Sequence, residues 1–73
     1  MKLKQKHFPV LIEQDEDGVF ILSCPVLAGC HSYGQSIEEG LANITEAIQA
    51  CVEDAAEEPK AQFVGVRDIQ LAI

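Results

Sequence analysis

Three cysteines, two histidines and twelve acidic side chains are where any metal or proton chemistry in this 73-residue chain would have to reside. Cys24, Cys30 and Cys51 are odd in number, and neither a Cys-x-x-Cys pair nor a ligand-spaced pair of histidines occurs. Cys24 and Cys30 flank a turn with His31 beside them, which puts three zinc-type ligands within one reversal of the chain. Without a fourth ligand at the usual spacing, the thiols read instead as small buried hydrophobes. His7 and His31, with Lys6 nearby, are the candidates for the acid and base of a metal-independent nuclease, roles that imidazole commonly fills. RNA would then have to approach a surface of net charge −7 whose single arginine is Arg67, and phosphate backbones are repelled by such a surface. Ser32, Ser36 and Thr45 form no nucleophile elbow. Gly29 and Gly34 bracket a strand and do not open a helix, so no phosphate-cradling loop is expected. Asp15, Glu16 and Asp17 are too few and too close together to make a calcium loop. Glu13 and Asp68 are the only strand carboxylates on offer to a two-metal site. The expectation is a non-catalytic protein with no cofactor.

The charge is distributed unevenly. Lys2, Lys4, Lys6 and His7 are basic, whereas Glu38, Glu39, Glu46, Glu53, Asp54, Glu57 and Glu58 make the helical region acidic. This pattern keeps a solvated helix face soluble, and it would also steer a basic protein partner. Direct nucleic-acid binding is disfavoured. The longest apolar stretches, such as Phe8 to Ile12, fall far short of the roughly 18 to 20 residues of a membrane span, and no signal-peptide core follows Met1. A cytoplasmic protein is expected. At 48% apolar residues the chain folds as one domain, 1–73, but so short a chain buries only about 60% of its unfolded surface. Self-association, as a homodimer or a higher oligomer, is the natural remedy.

The elements that must position these residues follow from pattern. Phe8, Val10 and Ile12 alternate along a first strand that Pro9 marks as an edge or a beginning. Asp15-Glu-Asp-Gly18 is a hairpin turn leading into Val19 to Cys24. Pro25-x-x-x-Gly29 reverses the chain again, and a short third strand runs from Cys30 to Gly34. Ser36 then caps a helix predicted from Ile37 to about Ala56. Its hydroxyl accepts from the N–H of Glu39, whose carboxylate reaches back to the N–H of Ser36. The apolar stripe Ile37, Leu41, Ile44, Ile48, Cys51, Val52 and Ala55 has the helical period. Twenty helical residues span about 30 Å and six-residue strands about 20 Å, so the helix overhangs its sheet. Glu58-Pro59 stops it, and Asp68 to Ile73 alternates as a final strand. The fold class is α+β, in the order β-β-β-α-β, an antiparallel sheet with one amphipathic helix on one face. One helix covers one face only, and strand 2 has apolar residues on both.

The segments Phe8-Pro-Val-Leu-Ile-Glu13, Asp17-Gly18, Pro25-x-x-x-Gly29-Cys-His-Ser-Tyr-Gly34 and Ser36-Ile-Glu-Glu39, with Asn43, Glu46 and Ala47, resemble in order the HicB-like antitoxin family. The resemblance covers about Phe8 to Val52. It implies a shortened RNase H-like fold and an antitoxin that neutralises a small basic HicA-type messenger-RNA interferase. Family members often carry a C-terminal DNA-binding domain for which this sequence shows no counterpart, so operator binding is not among the expectations. A stand-alone oligomeric or small-ligand-binding module with no toxin is the alternative. Gly40 stands where the family's helix usually has alanine, a loss of roughly 1 kcal/mol of helix propensity. For a partner surface, Phe20, His31 and Tyr33 are grouped as sharing the parity opposite to Val19, Ile21 and Cys30. Parity alone leaves open which face the helix covers.

Overall fold

The computed structural model describes residues 6–55 and 61–73. Three strands, β1 (Leu11–Gln14), β2 (Phe20–Ser23) and β3 (His31–Gly34), precede one helix, α1 (Ile37–Ala55). The strands form one antiparallel sheet in the order β1-β2-β3. This is an α+β fold built β-β-β-α. Strand β1 starts two residues after Pro9, later than the alternation from Phe8 suggests, since proline has no N–H to give a ladder. The expected helix end at Ala56 and the Glu58-Pro59 stop lie outside the described residues.

Each turn is held by local polar chemistry. Asp15 Oδ1 accepts from the N–H groups of Asp17 and Val19 at 2.9 and 3.0 Å, and Gly18 takes the left-handed φ of 84° that closes the hairpin. In the second reversal, Cys24 N–H donates to Cys30 O at 2.9 Å and Leu27 N–H to Cys24 O at 3.2 Å. Gly29 supplies its positive φ of 70°. Leu27, carried at the middle of this turn, is tucked into the core.

The core is small: Leu22, Cys24, Leu27, Cys30 and Ile44 are buried, with Phe8, Val10, Phe20, Val26, Ala47, Ile48, Cys51 and Val52 packed around them. Helix and sheet meet most closely at two glycines. A Cβ on Gly34 would strike the backbone nitrogen of Gly40 and lie 2.7 Å from its Cα and 2.8 Å from Ser36 O, and one on Gly40 would run into Leu22 Cδ1. Gly40 thus exchanges helix propensity for close approach. Asn43 Nδ2 donates to Tyr33 O at 2.9 Å, fastening α1 to β3.

Packing adds one feature and changes one expectation. The stripe from Ile37 to Ala55 is not covered throughout, because α1 lies over β3 and β2 and leaves Ile37 and Leu41 exposed. The predicted strand Asp68 to Ile73 does not form in the single chain: residues 61–73 are irregular and exposed, with no backbone hydrogen bond to the described sheet. Alternation supplies a strand with two kinds of face, but only a neighbour can satisfy its N–H and C=O groups.

Candidate functional site

Strand register decides which side chains share a surface. Leu11 pairs with Ser23 and Glu13 with Ile21 between β1 and β2. Ile21 pairs with Tyr33 and Ser23 with His31 between β2 and β3. Directly paired residues in a sheet point to the same face, so Leu11, Glu13, Ile21, Ser23, His31 and Tyr33 line one side. Leu22, which a Cβ on Gly40 of the helix would contact, points to the other with Ile12, Phe20 and Ser32. The first set is the outer face, opposite α1.

The grouping of Phe20 with His31 and Tyr33 is therefore corrected. Phe20 pairs with Gly34 on the helix side and packs against the core, while His31 and Tyr33 are outward with Ile21, the residue from which parity counting had separated them. The reason is the length of the second reversal: it sets odd-numbered residues of β2 opposite odd-numbered residues of β3. Leu11, Glu13 and Ile21 were missed for the outer face, and the hairpin register is the signal that locates them.

His31 and Tyr33, two residues apart on β3, stack edge to face with ring centroids 5.9 Å apart and planes at 78°, a geometry favoured by the ring quadrupoles. Tyr33 is 54% exposed. A Tyr–His pair beside Leu11 and Ile21, with the Glu13 carboxylate at its margin, offers apolar area, hydrogen-bonding tips and one negative charge. These are the ingredients of a protein-binding surface, where tyrosine is enriched.

The thiols tell a different story. Cys24 and Cys30 are buried, Cys51 is half-buried, and all three are free. Burial foremost, then a hydrogen bond with the Cys51 thiol and the proximity of Cys51 and Cys24, push the Cys30 thiol up to about 11. Such a group stays protonated and inert at neutral pH, since the thiolate is the nucleophile and the ligand. His31 is exposed on the outer face, so it does not join Cys24 and Cys30 as a third ligand. Among the described residues no group of three His, Cys, Asp or Glu side chains is arranged to hold a metal ion, and no helix is long and apolar enough to cross a membrane.

A family model described as the HicB-like antitoxin of bacterial toxin-antitoxin systems matches residues 8–70. The chain belongs to this family. Among its relatives, a UPF0150 protein of Synechocystis sp. is 39% identical over 67 residues, which span 92% of this chain and 97% of the relative. A UPF0150 protein of Archaeoglobus fulgidus is 33% identical over 64 residues, covering 88% of this chain and 93% of its own length. A second Synechocystis UPF0150 protein reaches 47% identity over 47 residues, 64% of this chain and 60% of the relative. The family match spans the whole sheet, the helix and most of the exposed segment after it. Membership in this family points to a role in a toxin-antitoxin system.

Proposed function

We propose that the protein is a non-catalytic, cytoplasmic, self-associating antitoxin that binds a small basic messenger-RNA interferase of the HicA type through the outer face of its sheet. Family membership carries this reading. The net charge of −7 complements a basic partner, and complementary potentials accelerate encounter while close apolar contacts hold the complex. Tyr33, His31, Ile21 and Leu11 provide the contact area, with Tyr33 as the anchor.

The test is co-expression with a HicA-type ribonuclease, followed by co-purification and an RNA-cleavage assay. The wild-type chain should retain the toxin and suppress cleavage, and Tyr33→Asp should weaken the complex at least tenfold while leaving the fold intact by circular dichroism. Failure of the wild-type chain to retain or inhibit any such toxin at low salt would overturn the antitoxin reading. Undiminished binding by Tyr33→Asp would overturn the outer face as the site.

A further inference from the structure

Among the described residues, one side of the helix and the outer edge of β1 have no neighbour. Gly40 faces the sheet against Leu22. At about 100° per residue, Asn43, whose amide is fastened to β3, falls about 60° to one side of it. Ile37 and Leu41 fall about 60° and 100° to the other, toward β1. The apolar stripe is thus centred beyond the strands it covers, on the β1 side. Leu41 is 40% exposed there, and Ile12, the helix-side residue of β1, is 43% exposed. Strand β1 is at the end of the sheet order, so its outer N–H and C=O groups face no strand among the described residues. An edge of this kind is a template for pairing. At the opposite edge, one carbonyl of β3 is already taken by Asn43.

The chain also holds a strand with no sheet. Residues 61–63 line an open cleft with His7, Phe8, Pro9 and Val26, at the entrance to β1. From there the segment stands away from the body, with Val64, Val66, Ile69, Leu71 and Ile73 all exposed. Its last six residues alternate, Ile69, Leu71 and Ile73 against Asp68, Gln70 and Ala72. The Cα radius of gyration, 14.4 Å within extents of 53 × 27 × 20 Å, exceeds the ~11 Å of a compact chain of this length.

We propose that residues 68–73 of a second copy of this chain add as a strand to the free edge of β1, laying Ile69, Leu71 and Ile73 over Ile12, Leu41 and Ile37, and that two copies exchange these segments reciprocally. Each copy gives one strand and receives one, so the arrangement closes on a two-fold axis and extends no further. The same exchange satisfies the edge of β1, the uncovered half of the helix stripe and the exposed tail together. It rests on the self-association proposed above and specifies the surface. The toxin-binding outer face is a different surface, so the two tests are independent.

Sedimentation equilibrium of the full chain under reducing conditions, without any toxin, should give twice the 8.0 kDa chain mass. Ile69→Asp combined with Leu71→Asp should give the single-chain mass with unchanged helical circular dichroism. Ile12→Pro, which removes a donor from the outer edge of β1, where proline is tolerated, should weaken the dimer at least tenfold, whereas Ile12→Val should leave it intact. Hydrogen-exchange protection of residues 10–14 and 68–73 should be present in the wild type and lost together in both disruptive variants. A wild-type monomer overturns the proposal, whether its tail is free or folded back onto its own β1. A dimer that survives both disruptive variants keeps the self-association but overturns the exchange, and so does unfolding of the double variant, which would make the tail part of the monomer's own core.

Discussion

Gly34 and Gly40 are the two glycines at which an added Cβ would collide with neighbouring atoms, and the atoms it would strike differ in kind. At Gly34 the obstacle is the backbone of Gly40 and Ser36, which cannot step aside without lifting the helix. Gly34→Ala should therefore destabilise the fold by about 1–3 kcal/mol, in the range of overpacked cores, measurable by urea denaturation. Gly40→Ala gains up to about 1 kcal/mol of helix propensity but pushes on Leu22, which is fully buried, so its net cost should be smaller than that of Gly34→Ala. Cys30 sets a pH dependence. A free thiol titrates near 8.5, and in the fold this one is held up to about 11, chiefly by burial. The native state then holds the proton more tightly than the unfolded chain. The corresponding stability is fully present below pH ~8.5 and is lost as pH rises toward 11. Thermal melts across that window should fall, and Cys30→Ala should flatten the decline. An equal slope in the variant would assign the effect to other groups.

At the scale of elements, the start of α1 is decided by Ser36. Its Oγ accepts from the N–H of Glu39 at 3.1 Å, and the Glu39 carboxylate returns to the N–H of Gln35 at 3.1 Å, one residue earlier than the reciprocal box predicts. The cap thus satisfies the N–H groups of Glu39 and Gln35, and Glu38 and Glu39 place negative charge at the positive end of the helix dipole. Ser36→Ala should cost about 1 kcal/mol, whereas Ser36→Asp should retain most of the stability. Guanidinium unfolding monitored at 222 nm separates the two. The capping box, the helical period from Ile37 onward and both positive-φ turn glycines were legible because each is set by residues within one or two turns of the chain. The strand positions were nearly as clear. Leu27 escaped notice because a lone leucine inside a turn has no periodicity to announce it.

For the molecule as a whole, the governing quantities are the charge of −7 and a core of few residues. If the antitoxin reading holds, association with a basic toxin should slow as salt is raised from 50 to 500 mM, because screening shortens the reach of the field to a few ångströms. Dissociation should change less, being governed by the contacts of Tyr33 and its neighbours. Stopped-flow measurements at several salt concentrations distinguish the two. An association rate indifferent to salt would remove electrostatic steering from the account. The dimer, by contrast, should persist in high salt, since the side chains that would meet across it, Ile69, Leu71 and Ile73 on one copy and Ile12, Leu41 and Ile37 on the other, are apolar.

Sequence alone determined the β-β-β-α order, the two turns, the helix cap and the family, because these depend on residue types at short, fixed separations. It also showed that Asp68 to Ile73 has the alternation of a strand. It did not determine the partition of Phe20, His31 and Tyr33 between the two faces. That partition follows from how many residues the Cys24 to Cys30 reversal consumes, and a difference of one residue turns a strand over. Nor could it show that the helix stripe is off-centre on the sheet, which is settled by where Gly40 and Gly34 allow the backbones to touch. Faces and edges are relations between elements far apart in the chain, and only the packed structure brings them together.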